Sequence, residues 1–336
     1  MDTIINTQSI SREKGIVLLL DNAAKTTKEL GLFNGLIGIS MCFFILSRIT
    51  GQQNYRKKAL RHLNKVQQSI LAIDDLGYAE GLAGIGWAVE WLEQQGYIKA
   101  NTDVVLEDID DTIYTAVIFS LDVSLSLEDG VIGKALYFLY RMQGRNNDKR
   151  RYRIVCNLEC LVFLSDEIAE KILVIISNIE HGGGQDIRDV DMIEIAQSLI
   201  ILLRIFNLKI NTSTARETIM ALLIAIERYL QEKIENEITL HFGYAYYYLI
   251  YAYLIALKAL NKKGFTPNSP FITTYLETMA YTPASLQRYL VDRNHIIQSN
   301  NDPMSNTTAQ PSLLSLLNKV NALKNTCYGY EAFLLQ

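Results

Sequence analysis

Proline is scarce in this sequence, with five in 336 residues. Proline removes an amide donor and clashes with the preceding helical turn, so its rarity leaves long stretches free to be helical. Cysteine is scarce too. Its four occurrences, Cys42, Cys156, Cys160 and Cys327, make no disulfide framework in a chain of this size. Positive charge is not in excess: the formal net charge is −4, which gives no electrostatic case for nucleic acid. Near the N-terminus the apolar run Ile16 to Leu20 is too short and too late for a secretory segment, and the reading is a cytoplasmic protein. Residues 242–260 are mostly apolar and long enough to span a bilayer. Yet Tyr244, Tyr246, Tyr247, Tyr248, Tyr251 and Tyr253 lie within them, and phenols are costly in mid-membrane. A buried or groove-lining helix is expected there, with no stable membrane insertion.

What the chain does have is apolar content, 49% of residues, and a recurring glycine pattern. Gly77-Tyr78-Ala79-Glu80-Gly81-Leu82-Ala83-Gly84-Ile85-Gly86-Trp87 opens an apolar segment with helical spacing. Glycine costs roughly 0.5–1 kcal/mol against alanine inside a helix, so such a cluster marks a tight turn or a close backbone approach. The template G-x-x-x-G-x-x-G recurs at Gly31-Gly35-Gly38, and Gly130-Val131-Ile132-Gly133 after Ser126 repeats it without the first glycine. The middle glycines are 46 and 49 residues apart (81−35 and 130−81). Repeats of this length are the signature of stacked or ring-closed helical hairpins.

Between the glycine motifs lie second helices. Residues 54–73 place Tyr55, Ala59, Leu63, Val66 and Ile70 at near-helical spacing, with basic residues on the opposite face. Residues 108–119 look alike. Each repeat is therefore a glycine loop, an inner apolar helix and an outer amphipathic helix. Cys156 and Cys160 share one helical face, as half of a metal site or as two small buried thiols.

The glycine-opened helices, above all Gly77 to Trp87, resemble the lanthionine synthetase C-like family over roughly residues 31–145. The resemblance implies an all-α fold, an α/α toroid of about seven helical hairpins with glycine-rich loops opening the inner helices, and a single domain over residues 1–336. It also implies chemistry. Family enzymes use zinc to activate a peptide cysteine thiolate, which adds to a dehydrated serine or threonine. A fourth loop candidate, His181-Gly182-Gly183-Gly184, matches the family's His-Gly, whose histidine is a proposed proton donor or acceptor, although the next family glycine falls on Gln185. In the fifth, His241-Phe242-Gly243, His241 stands where the family has its first zinc-ligating cysteine. The other two ligands are a consecutive Cys-His, and no such dipeptide occurs in this chain. The stretch expected to hold it, residues 282–297, carries only His295. Cys327-Tyr328-Gly329 resembles the motif in outline but fits a seventh repeat, whose helix would be very short. Histidine can ligate zinc, and a catalytic zinc takes three protein ligands and an open position, so His241, His295 and Cys327 are the set that can be assembled.

Two function classes stay open. One is a protein that binds a peptide or a partner protein in the toroid mouth, its zinc site lost with the Cys-His pair and no cofactor needed. The other is a zinc-dependent cyclase adding peptide cysteine thiols to dehydrated residues, with His181 catalytic. A further reading, another α/α toroid such as a glycoside hydrolase, needs two carboxylates flanking a cleft; Glu80, Glu128 and Asp129 sit in the glycine loops.

Overall fold

The structure is a computed structural model that describes residues 2–120, 122, 124–144, 151–181, 188–235, 243–261, 270–279, 281–300, 312–324, 326 and 328–334. Every regular element among the described residues is helical. In chain order these are α1 (Asp2–Thr26), α2 (Leu36–Thr50), α3 (Gln53–Ser69), α4 (Leu82–Gln94), α5 (Thr102–Val105), α6 (Glu107–Phe119), α7 (Val131–Met142), α8 (Arg151–His181), α9 (Asp189–Asn207), α10 (Thr212–Glu235), α11 (Tyr244–Asn261), α12 (Pro270–Thr278), α13 (Pro283–Asn300) and α14 (Leu313–Asn321), with short 3-10 turns at Ile70–Ala72 and Tyr330–Phe333. The chain divides into two compact units. Residues 1–115, 143–151 and 294–336 form the first, and 116–142 with 152–293 the second.

In the first unit α2 is buried on nearly all sides, from Leu36 to Leu46 and again at Ile49, and packs against α1, α3, α4 and α14. A helix apolar all round belongs in a core, as its sequence LIGISMCFFILSRIT dictates. α3 is the outer kind: only Ala59, His62 and Val66 are buried. In the second unit α9 takes the central role, packed by α7, α10 and α11.

The glycine pattern works differently at its two ends. The middle glycines Gly35 and Gly81 are the extended residues just before α2 and α4. The third glycine lies inside the first helical turn. A Cβ on Gly84 would overlap the carbonyl oxygen of Tyr78, and one on Gly38 that of Leu32. The bare backbone there lets the loop fold back onto the helix it opens. Neighbouring loops are then stitched together: the amides of Leu32 and Phe33 both donate to the Ala79 carbonyl, at 2.7 and 2.9 Å.

The element after Gly329 is very short, as the sequence implies. Gly329 opens no α-helix; it takes φ +84° and leads into the 3-10 turn Tyr330–Phe333. The helix that packs on α2 comes earlier, as α14, and the Leu313 amide donates to the Phe33 carbonyl at 2.7 Å, as Leu32 donates to Ala79. Ser312 caps α14 by accepting from the Ser315 amide, so a serine does there what a glycine loop does at α2 and α4.

Candidate functional site

The residues singled out by resemblance fall largely outside what the structure describes. His241 and Cys327 lie outside the described residues. His181 ends α8 and His295 sits on α13, but neither side chain is described. Gly182 to Gly184 are likewise outside. Cys156 and Cys160 are buried thiols on α8, neither in a disulfide, and no cluster of three or more His, Cys, Asp or Glu fit for a metal occurs among the described residues.

At the start of α13, within the stretch expected to carry the Cys-His pair, the described groups are hydroxyls. The Thr282 amide donates to Ser285 Oγ at 2.9 Å and the Ser285 amide to Thr282 Oγ1 at 3.1 Å. This reciprocal cap satisfies amides that a helix N-terminus leaves open. Zinc in proteins takes thiolate, imidazole or carboxylate donors. Two neutral hydroxyls already committed to backbone do not fit it, so they support no reaction step through a metal.

Beside this cap, in the second unit, three tyrosines converge. The rings of Tyr247 on α11 and Tyr289 on α13 have centroids 4.1 Å apart, and Tyr281 meets Tyr247 edge-on at 5.8 Å. All three are half-buried. Burial, then hydrogen bonding to Tyr247, pushes the Tyr281 phenol up from its ordinary value, so it remains a neutral donor across physiological pH. The rest of the tyrosine helix is mostly core: Tyr246, Tyr248, Tyr251 and Tyr253 are buried. Burial pushes Tyr251 up to about 12, and the Tyr253 hydroxyl donates to Glu227 Oε1 on α10 at 2.9 Å. The stripe thus divides into a core part and an accessible part, and the accessible part is completed by Tyr281 and Tyr289. Sequence reasoning missed those two. They are spaced eight apart, at and just before a later helix, a pattern visible only once that helix is placed beside α11.

The start of α9, in the second unit, is acidic, with Asp189 and Asp191 in its first turn. Arg188 holds Asp191 with two hydrogen bonds of 2.7 and 2.8 Å. Glu194, one turn on, is pushed up by burial first and then by Asp191. Asp129, in the loop before α7, is held below its ordinary range by hydrogen bonding to Ser126.

In the first unit Glu80 is a clamp between glycine loops. Its Oε1 accepts from the Asn34 amide at 3.1 Å and from Asn34 Nδ2 at 2.8 Å. Its other oxygen is buried without a hydrogen-bond partner. Burial raises the carboxyl above its ordinary value, and Asn34 only partly offsets this. Glu80 and Asp129 are thus both occupied in shaping their own loops. Replacing Glu80 with alanine removes the acceptor for both Asn34 donors and is expected to cost about 1–3 kcal/mol in urea unfolding. The sign of the pH effect follows from the raised carboxyl. As pH rises past the ordinary glutamate range, the unfolded chain releases its proton first, so the folded state loses stability. Glu80→Gln removes that loss, and its stability relative to wild type should rise with pH through this window; a pH-independent difference would contradict the assignment.

Known proteins share this architecture. Residues 26–114 match the family model described as "Lanthionine synthetase C-like protein". The matched segment spans α2, α3 and α4 and both stitched glycine loops. No curated protein matches the chain. Among solved structures, a nisin cyclase is similar at TM-score 0.55 and 13% identity, covering 98% of each chain. At that identity the likeness establishes the fold, an all-α chain of the α/α toroid class. No described helix is long and apolar enough to cross a membrane. Residues 26–114 therefore resemble the lanthionine synthetase C-like proteins, and over nearly its full length the chain has the fold of the nisin cyclase.

Proposed function

We propose that this chain, acting as one toroid domain over residues 1–336, binds a peptide or partner protein in the toroid mouth and does so without zinc catalysis, in the cytoplasm. The observation that carries the reading is the pairing of an accessible phenol cluster with a hydroxyl cap. Tyr247, Tyr281 and Tyr289 offer rigid rings with polar tips, the side chains that interfaces favour. The adjoining start of α13, within the stretch where the resemblance expects the Cys-His pair, offers the hydroxyls of Thr282 and Ser285. The likeness to a protein named nisin cyclase supports a peptide as the class of ligand.

The cyclase reading keeps His181 as proton carrier and His241, His295 and Cys327 as ligands. One experiment separates the two. The purified full-length chain is analysed for zinc and incubated with a dehydrated peptide bearing one cysteine, and the free thiol is counted by alkylation. The expected result is zinc well below one per chain and a thiol that stays alkylatable, while the peptide binds and Tyr247→Ala weakens it. One zinc per chain, lost in His241→Ala or Cys327→Ala, with disappearance of the thiol, would establish the cyclase instead.

A further inference from the structure

The outer helix α3 carries charge of one sign only. Its sequence, QNYRKKALRHLNKVQQS, has Arg56, Lys57, Lys58, Arg61 and Lys65 and no carboxylate, in a chain whose net charge is −4. Lys58 is accounted for: it is held by Asp21 of α1 at 2.6 Å and lies over the Phe43 ring. The other four are exposed, and among the described residues no carboxylate forms an ion pair with them. Lys57, Arg61 and Lys65 stand at i, i+4 and i+8. Like charges at that spacing repel and destabilise a helix, and the described fold leaves this repulsion uncompensated. It is felt inside as well: burial, and next Lys65, hold the His62 imidazole below its ordinary value, with Arg61 and Lys58 acting the same way and Asp21 opposing.

The same ridge carries Leu60, 36% exposed, and Asn64 between the cations. Lys57, Leu60, Arg61, Asn64, Lys65 and Gln68 line one shallow depression of about 400 Å³. Steps of three and four residues are the ridge that one helix presents to another, and Lys57 to Lys65 spans about 12 Å. We propose that this face of α3 docks an acidic amphipathic helix of a partner protein, whose carboxylates at matching spacing meet Lys57, Arg61 and Lys65 while an apolar residue covers Leu60. The proposal rests on α3 alone and stands whether or not the chain binds a peptide elsewhere.

The test uses the full-length chain and a fluorescent synthetic helix with glutamates at i, i+4 and i+8 and leucine beside them. Binding is read by anisotropy at low salt and at about 0.5 M NaCl, where exposed charges beyond a few ångströms are screened. The peptide is expected to bind and to be released by salt. Arg61→Glu should weaken it about tenfold and Lys57→Glu/Arg61→Glu/Lys65→Glu should abolish it. The triple glutamine variant should fall between, with the far-ultraviolet helical signal unchanged throughout. Because Arg61→Glu also turns two repulsive pairs into attractive ones, its thermal midpoint should rise while binding falls. No binding at low salt, or binding untouched by the triple variant, overturns the proposal. So does tighter association of the same face with heparin or with phosphatidylglycerol vesicles than with the peptide.

Discussion

Gly84→Ala is expected to cost at least about 3 kcal/mol of unfolding free energy, a large effect for a single methyl group. The added Cβ would overlap the Tyr78 carbonyl oxygen and press on the Tyr78 carbonyl carbon at 2.8 Å and Leu32 Cβ at 3.1 Å. Backbone cannot swing away as a side chain can, so the loop of residues 77–81 must lift off α4. That lift strains the bond from the Leu32 amide to Ala79 and, through it, the first glycine loop. The control is Gly15→Ala. Gly15 sits in the middle of α1 with nothing within 4 Å of its added Cβ, and alanine there should add about 0.5–1 kcal/mol by propensity alone. Both changes are a glycine replaced by alanine, and only packing gives them opposite signs. The chain has two tryptophans, Trp87 and Trp91, both in α4, so their fluorescence during urea unfolding reports on the affected helix. A loss for Gly84→Ala no greater than the gain for Gly15→Ala would mean that the loops are not stacked as described.

That contrast explains how much of the fold was legible. The glycine spacing announced the loops because glycine is needed where a carbonyl folds onto a helix turn, and few residues substitute. Apolar runs announced α2 and α4 because a helix buried all round has no polar face to disguise it. The start of α14 was not legible, for the converse reason. α14 is opened by Ser312, a cap that sequence shares with countless loops, while Gly329, which does look like the motif, uses its freedom for a positive φ of 84° instead.

The candidate site was less legible. Sequence flagged a stripe of tyrosines but could not divide it, since burial within α11 depends on which faces α9 and α10 cover. Nor could it find Tyr281 and Tyr289, whose meaning comes from Tyr247, 34 and 42 residues away in the chain (281−247 and 289−247). The carboxylates Glu80 and Asp129 were visible as loop residues. Their partners Asn34 and Ser126 give them shaping roles that spacing alone does not encode.

Trp87→Ala is the second large effect, expected to cost about 3–5 kcal/mol. Trp87 is fully buried and sits in a column of rings running through the first unit. Phe33 meets Tyr78 at 6.0 Å, Tyr78 meets Trp87 at 5.8 Å, Trp87 stacks on Trp91 at 6.2 Å, and Trp91 on Tyr97 at 5.5 Å. Phe333 joins the same column from the C-terminal turn, stacked on Phe33 at 4.8 Å. Removing the indole opens a cavity between two rigid neighbours that cannot both collapse into it. Trp91 supplies the comparison. Its Nε1 is buried with no hydrogen-bond partner, and a buried unpaired donor costs about 1–3 kcal/mol. Trp91→Phe removes that donor, keeps a ring between Trp87 and Tyr97, and should change stability by no more than about 1 kcal/mol. Similar losses for the two variants, measured by circular dichroism in urea, would show that the column acts as general bulk and not as a continuous stack joining the second glycine loop to the C-terminal turn.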